Sequence, residues 1–273
     1  MNFKVDASRA PAGAKPGVTE PATPDQDLGD RLVAALQQDE FILFGQKIAA
    51  LAPDAEAQPF QEILVRFQEE ETKLLPPGSF FPILEECGLL PFLDRWVVSR
   101  IIRWVHSALV IKPDWPAPHN SVNLSVATLV DRSFADYTRR HLQAAAVPAG
   151  CLSFEITCEC AAEQMKPLQA LMAQLRPHGC RLILARFDGS DGGFDLLRRM
   201  SPEFVKLSPG LVRSLNQGVA GLERVDAVNR ECHALNIKTI AEHVESEQTI
   251  AQLTGLGVDF GQGFAIETPR PLG

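Results

Sequence analysis

Eight short apolar runs of strand character recur along the chain, and helical periodicity fills most of the gaps between them. The runs are FILFGQKIAA (41–50), QEILVRF (61–67), NSVNLSV (120–126), LSFEIT (152–157), RLILARF (181–187), EFVKLS (203–208), IKTIAEHV (237–244) and VDFGQGF (258–264). Apolar residues at i, i+3, i+4 and i+7 mark helices in FLDRWVVSRIIRWVHSAL (92–109), AAEQMKPLQALMAQL and VAGLERVDAVNRECHAL. Alternating strands and helices make parallel β/α units, and eight such units close into a barrel. The first two runs are joined by only about ten Pro- and Ala-rich residues (51–60), which is short for a crossover helix and suits an antiparallel pair. The expected fold is therefore α/β: a modified TIM-type (β/α)8 barrel with an irregular, antiparallel first strand.

A chain of 273 residues is the right size for one such barrel. Residues 1–29 are rich in Pro, Ala, Gly and Thr without apolar periodicity, so a disordered tail is expected there, with the barrel domain over 30–273 and a short amphipathic helix at about Asp30 to Gln38. A formal net charge of −8 argues against a DNA or RNA polymer as partner. The N-terminus lacks the apolar core of a signal peptide, and no stretch approaches the ~20 apolar residues of a membrane span, so the expected location is cytoplasmic with no membrane contact. Six cysteines sit mostly in apolar segments and read as reduced core thiols. Cys158 and Cys160 have no second Cys or His pair at a zinc-like spacing.

Barrels of this kind carry their chemistry at the C-terminal strand ends. Glu62, Arg66, Asn123, Glu155, Arg186, Lys206, Glu242 and Gln262 stand there. Loops are polar and begin at strand ends, so one or two such residues would carry no meaning. Acids, amides and amines near so many strand ends, all facing one mouth, make a site.

At these residues the chain resembles the EAL-domain cyclic di-GMP phosphodiesterases. Glu62-Ile63-Leu64-Val65-Arg66 is similar to the family's Glu-Ala-Leu-x-Arg signature. FILFGQKI with Gln46, the segment LPPGSFFPILEECGLLPFLDRWVV (75–98), VNLS, FEIT, FVKLS, AEHVES and FGQGFAIETPRP follow in the family's order and spacing, over about residues 30–273. The resemblance implies hydrolysis of a phosphodiester by two divalent cations, Mg²⁺ or Mn²⁺. Such cations clamp the attacking and leaving oxygens and activate a bridging water, and as hard ions they need oxygen ligands. The family takes those ligands from the signature Glu, the Asn, the fourth-strand Glu and a consecutive Asp-Asp on the fifth strand, assisted by a sixth-strand Lys and a seventh-strand Glu. Carried over by position, Glu62, Asn123, Glu155, Lys206 and Glu242 are present.

The Asp-Asp pair is not. It falls on Ala185-Arg186, with Phe187 keeping register. Loss of the bridging ligand costs about a hundredfold or more in metal affinity, before a guanidinium is added to the site. Further departures are Cys158 for the acid after Glu155-Ile156-Thr157, Ser208 for the sixth-strand Asp, and DGSDGGFDLL for the family's loop. Asp188 or Asp191, on a loop made pliable by Gly189 and Gly192, are candidate substitute ligands. The expected protein is a degenerate member with no intact catalytic set, no metal and no cofactor; Mg²⁺ or Mn²⁺ enters only if residual phosphodiesterase activity survives.

Losing the metals need not lose the ligand. Gln46, Leu64, Arg66, Glu245 and Gln262 match positions that touch cyclic di-GMP in the family, and Glu62, Asn123, Lys206 and Glu242 surround them. Arg66 suits a charge-assisted contact to a phosphate, and Arg186 stands where metal charge used to sit. The plainer reading of Arg186 is a structural salt bridge to Glu155 or Asp188. Two functional expectations follow: a cyclic di-GMP receptor that does not cleave its ligand, or a nucleotide-independent module that binds an unidentified protein partner such as a transcription or motility factor. No Walker or dinucleotide loop and no nucleophile elbow occurs. His243, where the family has Gly, reads as a packing accommodation, and Trp96 and Trp104 as packing on one helix.

Overall fold

A computed structural model describes residues 24–52, 58–70 and 73–272. Ten strands form one closed sheet: β1 (Phe41–Ala50), β2 (Phe60–Glu70), β3 (Lys73–Leu75), β4 (His119–Asn123), β5 (Leu152–Thr157), β6 (Arg181–Phe187), β7 (Phe204–Leu207), β8 (Lys238–Ala241), β9 (Phe260–Gly261) and β10 (Arg270–Pro271). From β2 through β4 to β9 every neighbour is parallel. β1 closes the barrel antiparallel to both β2 and β9. The expected barrel and its reversed first strand are both present. β3 and β10 are short antiparallel additions to β2 and β1.

The helices are α1 (Pro24–Gln37), α2 (Pro77–Glu86), α3 (Leu90–Ile111), α4 (Val126–Leu129), α5 (Phe134–Ala145), α6 (Cys158–Glu163), α7 (Met165–Leu175), α8 (Asp191–Met200), α9 (Pro209–Arg213), α10 (Val219–Ala234) and α11 (Glu247–Gly255). α1 begins six residues before the boundary at Asp30, so 24–29 belong to a helix rather than to a tail; the rest of the expected tail, 1–23, lies outside the described residues. Among the described residues no helix is long and apolar enough to cross a membrane.

Strand ends are set by helix caps. Ser125, Thr157, Ser190, Ser208 and Ser246 each turn a hydroxyl back to accept the amide of the residue three further on, which satisfies an otherwise orphaned donor and starts α4, α6, α8, α9 and α11. This is why β4 stops at Asn123 rather than running to 126, and why Ser208, a departure from the family's acid, still has work as a cap. Past the end of β8 at Ala241, His243 takes a left-handed φ of 54° that turns the chain out of extended backbone.

The barrel interior is built in two tiers by the two-residue period of a strand. The deeper tier contains Ile48, Phe60, Ile183, Phe204, Ile240 and Phe260, an apolar cluster separate from the core between sheet and helices. His119 joins it, stacked on Phe60 with ring centroids 4.1 Å apart and bonded to Ser153. One step of two residues toward the mouth, the inward position is polar on every barrel strand except β6, where it is Ala185.

Candidate functional site

Stepping from the apolar tier toward the mouth gives Gln46, Glu62, Ser121, Glu155, Ala185, Lys206, Glu242 and Gln262. Lys206 lies at the centre of the ion pairs among them. Its side chain is fully buried, and its ammonium lies 2.7 Å from a carboxylate oxygen of Glu62, 2.7 Å from one of Glu155 and 3.9 Å from Glu242. Amides and a hydroxyl add further donors, while the buried Gln262 Oε1 has no partner among the described residues. Asn123 donates to Glu62 at 2.8 Å, Ser121 to Glu155 at 2.8 Å, and Gln262 to both Glu62 (2.7 Å) and Gln46 (3.0 Å). Gln46 in turn donates to the Glu267 carbonyl at 3.1 Å, tying the last loop to the first strand.

Buried charges of both signs shift one another. Burial pushes Glu62 up, but Lys206 and the amides of Gln262 and Asn123 bring its carboxyl net below the ordinary range. Glu155 goes the other way, to about 7: burial raises it, repulsion from Glu62 and Glu242 adds to that, and Lys206 only partly offsets them. Burial and the neighbouring Glu62 also raise Glu242 against the pull of Lys206. Burial alone would lower Lys206, yet the three carboxylates hold it above its ordinary value. The cluster thus keeps a permanent ammonium and shares a proton deficit among three acids.

Above the cluster a cavity of about 290 Å³ opens at the mouth, lined by Gln46, Glu62, Glu242, Glu245 and Gln262 together with His243, Gly263 and Phe264. Five expected residues therefore share one cavity, and Asn123, Glu155 and Lys206 are bonded in its floor. Leu64 and Arg66 lie farther out. In the β1–β2 pairing Gln46 faces Glu62, Phe44 faces Leu64 and Ile42 faces Arg66, so these six project from the same side of the hairpin. Arg66 lies 5.5 Å from the Phe44 ring centroid and donates to its neighbour's carbonyl at 2.8 Å.

Ala185 is a buried member of the upper tier that brings only a methyl, and next to it the strand bulges: β6 slips register against β7 between Leu184 and Phe187, with Arg186 at a φ of 61°. The Arg186 side chain is exposed, and among the described residues it forms no ion pair. The salt-bridge reading of Arg186 is thereby corrected: Glu155 is already held by Lys206, while Asp188 accepts the Ser190 amide at 3.0 Å and turns away into its own loop. Asp191 lies between α8 and α10, in a different pocket from the mouth cavity.

Sequence reasoning missed Ser121, Phe44, Gly263 and Phe264. Ser121 was legible in principle, two residues before Asn123 on the same strand. Gly263 is required because a Cβ there would lie 2.2 Å from the Val244 carbonyl oxygen, where the last loop is stitched to the end of β8. His243, read as packing, is exposed and lines the cavity. Phe264 is 72% exposed at its rim.

A closed β/α barrel with an acid–amide–amine cluster at the C-terminal end of its strands defines a class of proteins that bind or transform small molecules at that end. The chain matches the sequence profile of the EAL domain over residues 30–269 and belongs to that family. It is 28% identical over 242 residues to the cyclic di-GMP phosphodiesterase PdeB of Shewanella oneidensis, covering 89% of this chain and 28% of PdeB, and 26% identical over 246 residues to PdeF of Escherichia coli, covering 89% and 32%. The chain thus spans about a third or less of those relatives' length. Its fold superposes on the EAL domain of FimX from Pseudomonas aeruginosa bound to c-di-GMP with a TM-score of 0.82 at 26% identity, covering 90% of this chain and 97% of that one.

Proposed function

We propose that this EAL domain is a receptor for cyclic di-GMP that holds the dinucleotide without cleaving it. The observation that carries the reading is the composition of the upper tier. Ala185 supplies no oxygen where the family places its bridging carboxylate, and the ammonium of Lys206 is shared by Glu62 and Glu155. Two divalent ions would have to make do with three acids, one amide and no bridging carboxylate. The donor set does not fit a cation pair, and among the described residues no group of three or more His, Cys, Asp or Glu side chains is placed to hold a metal ion.

The ligand-facing half of the site is intact by comparison. Gln46, Glu245 and Gln262 line the mouth, the half-exposed Arg66 is braced beside Phe44, and a related EAL domain of 26% identity has been solved with c-di-GMP bound. Arg66 gives a charge-assisted contact to one phosphate, and Arg186, exposed and without an ion-pair partner among the described residues, is free to reach the other.

The test is a titration of cyclic di-GMP with and without EDTA, followed by a turnover assay with Mn²⁺ on the same sample. Binding at micromolar affinity that ignores EDTA, weakened about tenfold or more by Arg66→Ala, with no linear product, is the expected result. Mn²⁺-dependent linearisation abolished by Glu62→Ala would restore the phosphodiesterase. Absence of binding would leave the barrel as a module for a protein partner alone.

A further inference from the structure

We propose that Asp94 is a positioning residue for the mouth. From α3 it fixes the turn after β4, and so holds Asn123 and, through Asn123, the Glu62 carboxylate. Its effect on affinity rests on the mouth binding cyclic di-GMP; its hold on Asn123 does not.

Asp94 is 5% exposed, and one of its oxygens, Oδ2, takes three hydrogen bonds. The Ser125 amide donates to it at 2.9 Å, the Ser125 hydroxyl at 2.7 Å and the Thr128 hydroxyl at 2.6 Å. All three donors lie just after Asn123, the last residue of β4. The same turn is tied to β5 on its other side, where the Leu124 amide reaches the Glu155 carbonyl at 3.0 Å. Asn123 in turn donates to Glu62 at 2.8 Å, and Glu62 lines the mouth cavity. Two planar peptide units join Asn123 to Ser125, with few dihedrals in which to absorb a displacement. A shift of Ser125 is therefore felt at the Asn123 amide.

A helix cap alone does not require such an acid. Thr157, Ser190, Ser208 and Ser246 start their helices with a hydroxyl, and among the described residues no carboxylate from another helix grips them. Burying a carboxylate is costly, and burial pushes Asp94 above its ordinary range despite the Thr128 and Ser125 donors. What the acid adds is a fixed distance between α3 and the turn. α4 has only four residues and cannot hold that place by itself. The next residue of α3, Arg95, grips the far end of α4 through Asp131 and Ser133. Consecutive side chains of α3 thus pin both ends of α4, and the Asp94 end leads directly to the mouth.

The experiment uses the full chain labelled with ¹⁵N. In the ligand-free protein the side-chain amide resonances of Asn123, assigned by their loss in Asn123→Ala, should shift in Asp94→Ala. They should return in Asp94→Asn, whose carbonyl can accept the same three bonds. They should stay in place in Leu168→Ala, which opens a cavity at a fully buried position of α7 and lowers stability in urea without touching the turn. In titrations, cyclic di-GMP should bind Asp94→Ala about tenfold more weakly than the unaltered chain and Asp94→Asn within about threefold of it. The Asp94→Ala/Asn123→Ala double variant should bind no more weakly than Asn123→Ala alone, because both changes remove one interaction. Asn123 resonances that stay in place in folded Asp94→Ala, or that move as far in Leu168→Ala, overturn the assignment, as do losses of affinity that add in the double variant. Asp94 would then be a stabiliser of α4 only. Absence of binding by the unaltered chain would sink the receptor reading and leave the Asn123 resonances to decide the positioning role. Should Asp94→Ala fail to fold, Thr128→Val removes one of the three bonds and should move the same resonances; their staying in place overturns the role.

Discussion

Two tiers of the same barrel, two residues apart on every strand, bury their side chains almost equally and use them in opposite ways. The deeper tier packs the rings of Phe60, His119, Phe204 and Phe260 together, stacked for Phe60 and His119 and tilted or edge-on for the rest, and burial lowers the pKa of its one imidazole to about 3, so it stays neutral. The upper tier places an ammonium among three carboxylates and gives two of them, Glu62 and Glu155, amide or hydroxyl donors. A buried polar group that can be discharged is tolerated as a neutral plug, whereas charges survive in a barrel only as a mutually satisfied set. The lower tier therefore holds the barrel closed, and the upper tier keeps a charged mouth ready for a charged ligand.

Removing the central cation should break the contrast most severely. Lys206→Met leaves Glu62, Glu155 and Glu242 facing one another in a dry interior, and should lower stability by about 3–5 kcal/mol in urea unfolding at pH 8. A variant as stable as the original chain would mean that the acids discharge as cheaply as His119 does. Adding the missing acid is the next largest change. Ala185→Asp should cost about 1–3 kcal/mol in EDTA, because a further carboxylate enters a tier whose one ammonium is already shared. Mn²⁺ should then raise the melting temperature of Ala185→Asp and leave that of the unaltered chain unchanged. An equal rise in both would place cations in the tier without any help from residue 185.

The lower tier should betray itself in acid. Unfolded His119 takes a proton near 6.5 but the folded ring only near 3, so the unfolded state binds more protons between those values and stability falls as pH drops through the window. The loss attributable to this ring is at most about 1.4 kcal/mol per pH unit. His119→Gln should flatten the slope of stability against pH between pH 6.5 and 4 and leave the slope unchanged above 7; an unaltered slope in the acid window would mean that the ring does not stay neutral. Least of all, Ile240→Val should remove about 0.5–1.5 kcal/mol of stability with no change in affinity for cyclic di-GMP. A fall in affinity would show that the tiers are not independent.

Much of this was legible beforehand. Eight strand runs, the short link that reverses the first, and the mouth residues from Glu62 to Gln262 could all be read along the chain, because strands near a barrel axis are apolar and their C-terminal ends are not. The tier boundary was harder. Ile183 and Ala185 both belong to one apolar run, and nothing local says which side faces the lumen when both faces are buried. Strand ends were overrun at 126 and 244, since a serine cap and a left-handed histidine weigh more than apolar content. Sequence position leaves Arg186 open between a phosphate contact and a salt bridge to Glu155 or Asp188; a bulge after Leu184 re-aims the strand end and leaves its side chain exposed.

What the sequence determined by itself was the inventory: a β/α barrel, the EAL order of motifs, and a methyl and a guanidinium at the spot where the family keeps twin acids. Only the tertiary structure decided the partnerships, because Lys206 meets Glu62 across 144 positions of chain and Gln262 meets Gln46 across 216. Contacts of that range follow from strand register and barrel closure, which depend on the whole sheet and on no local run of residues.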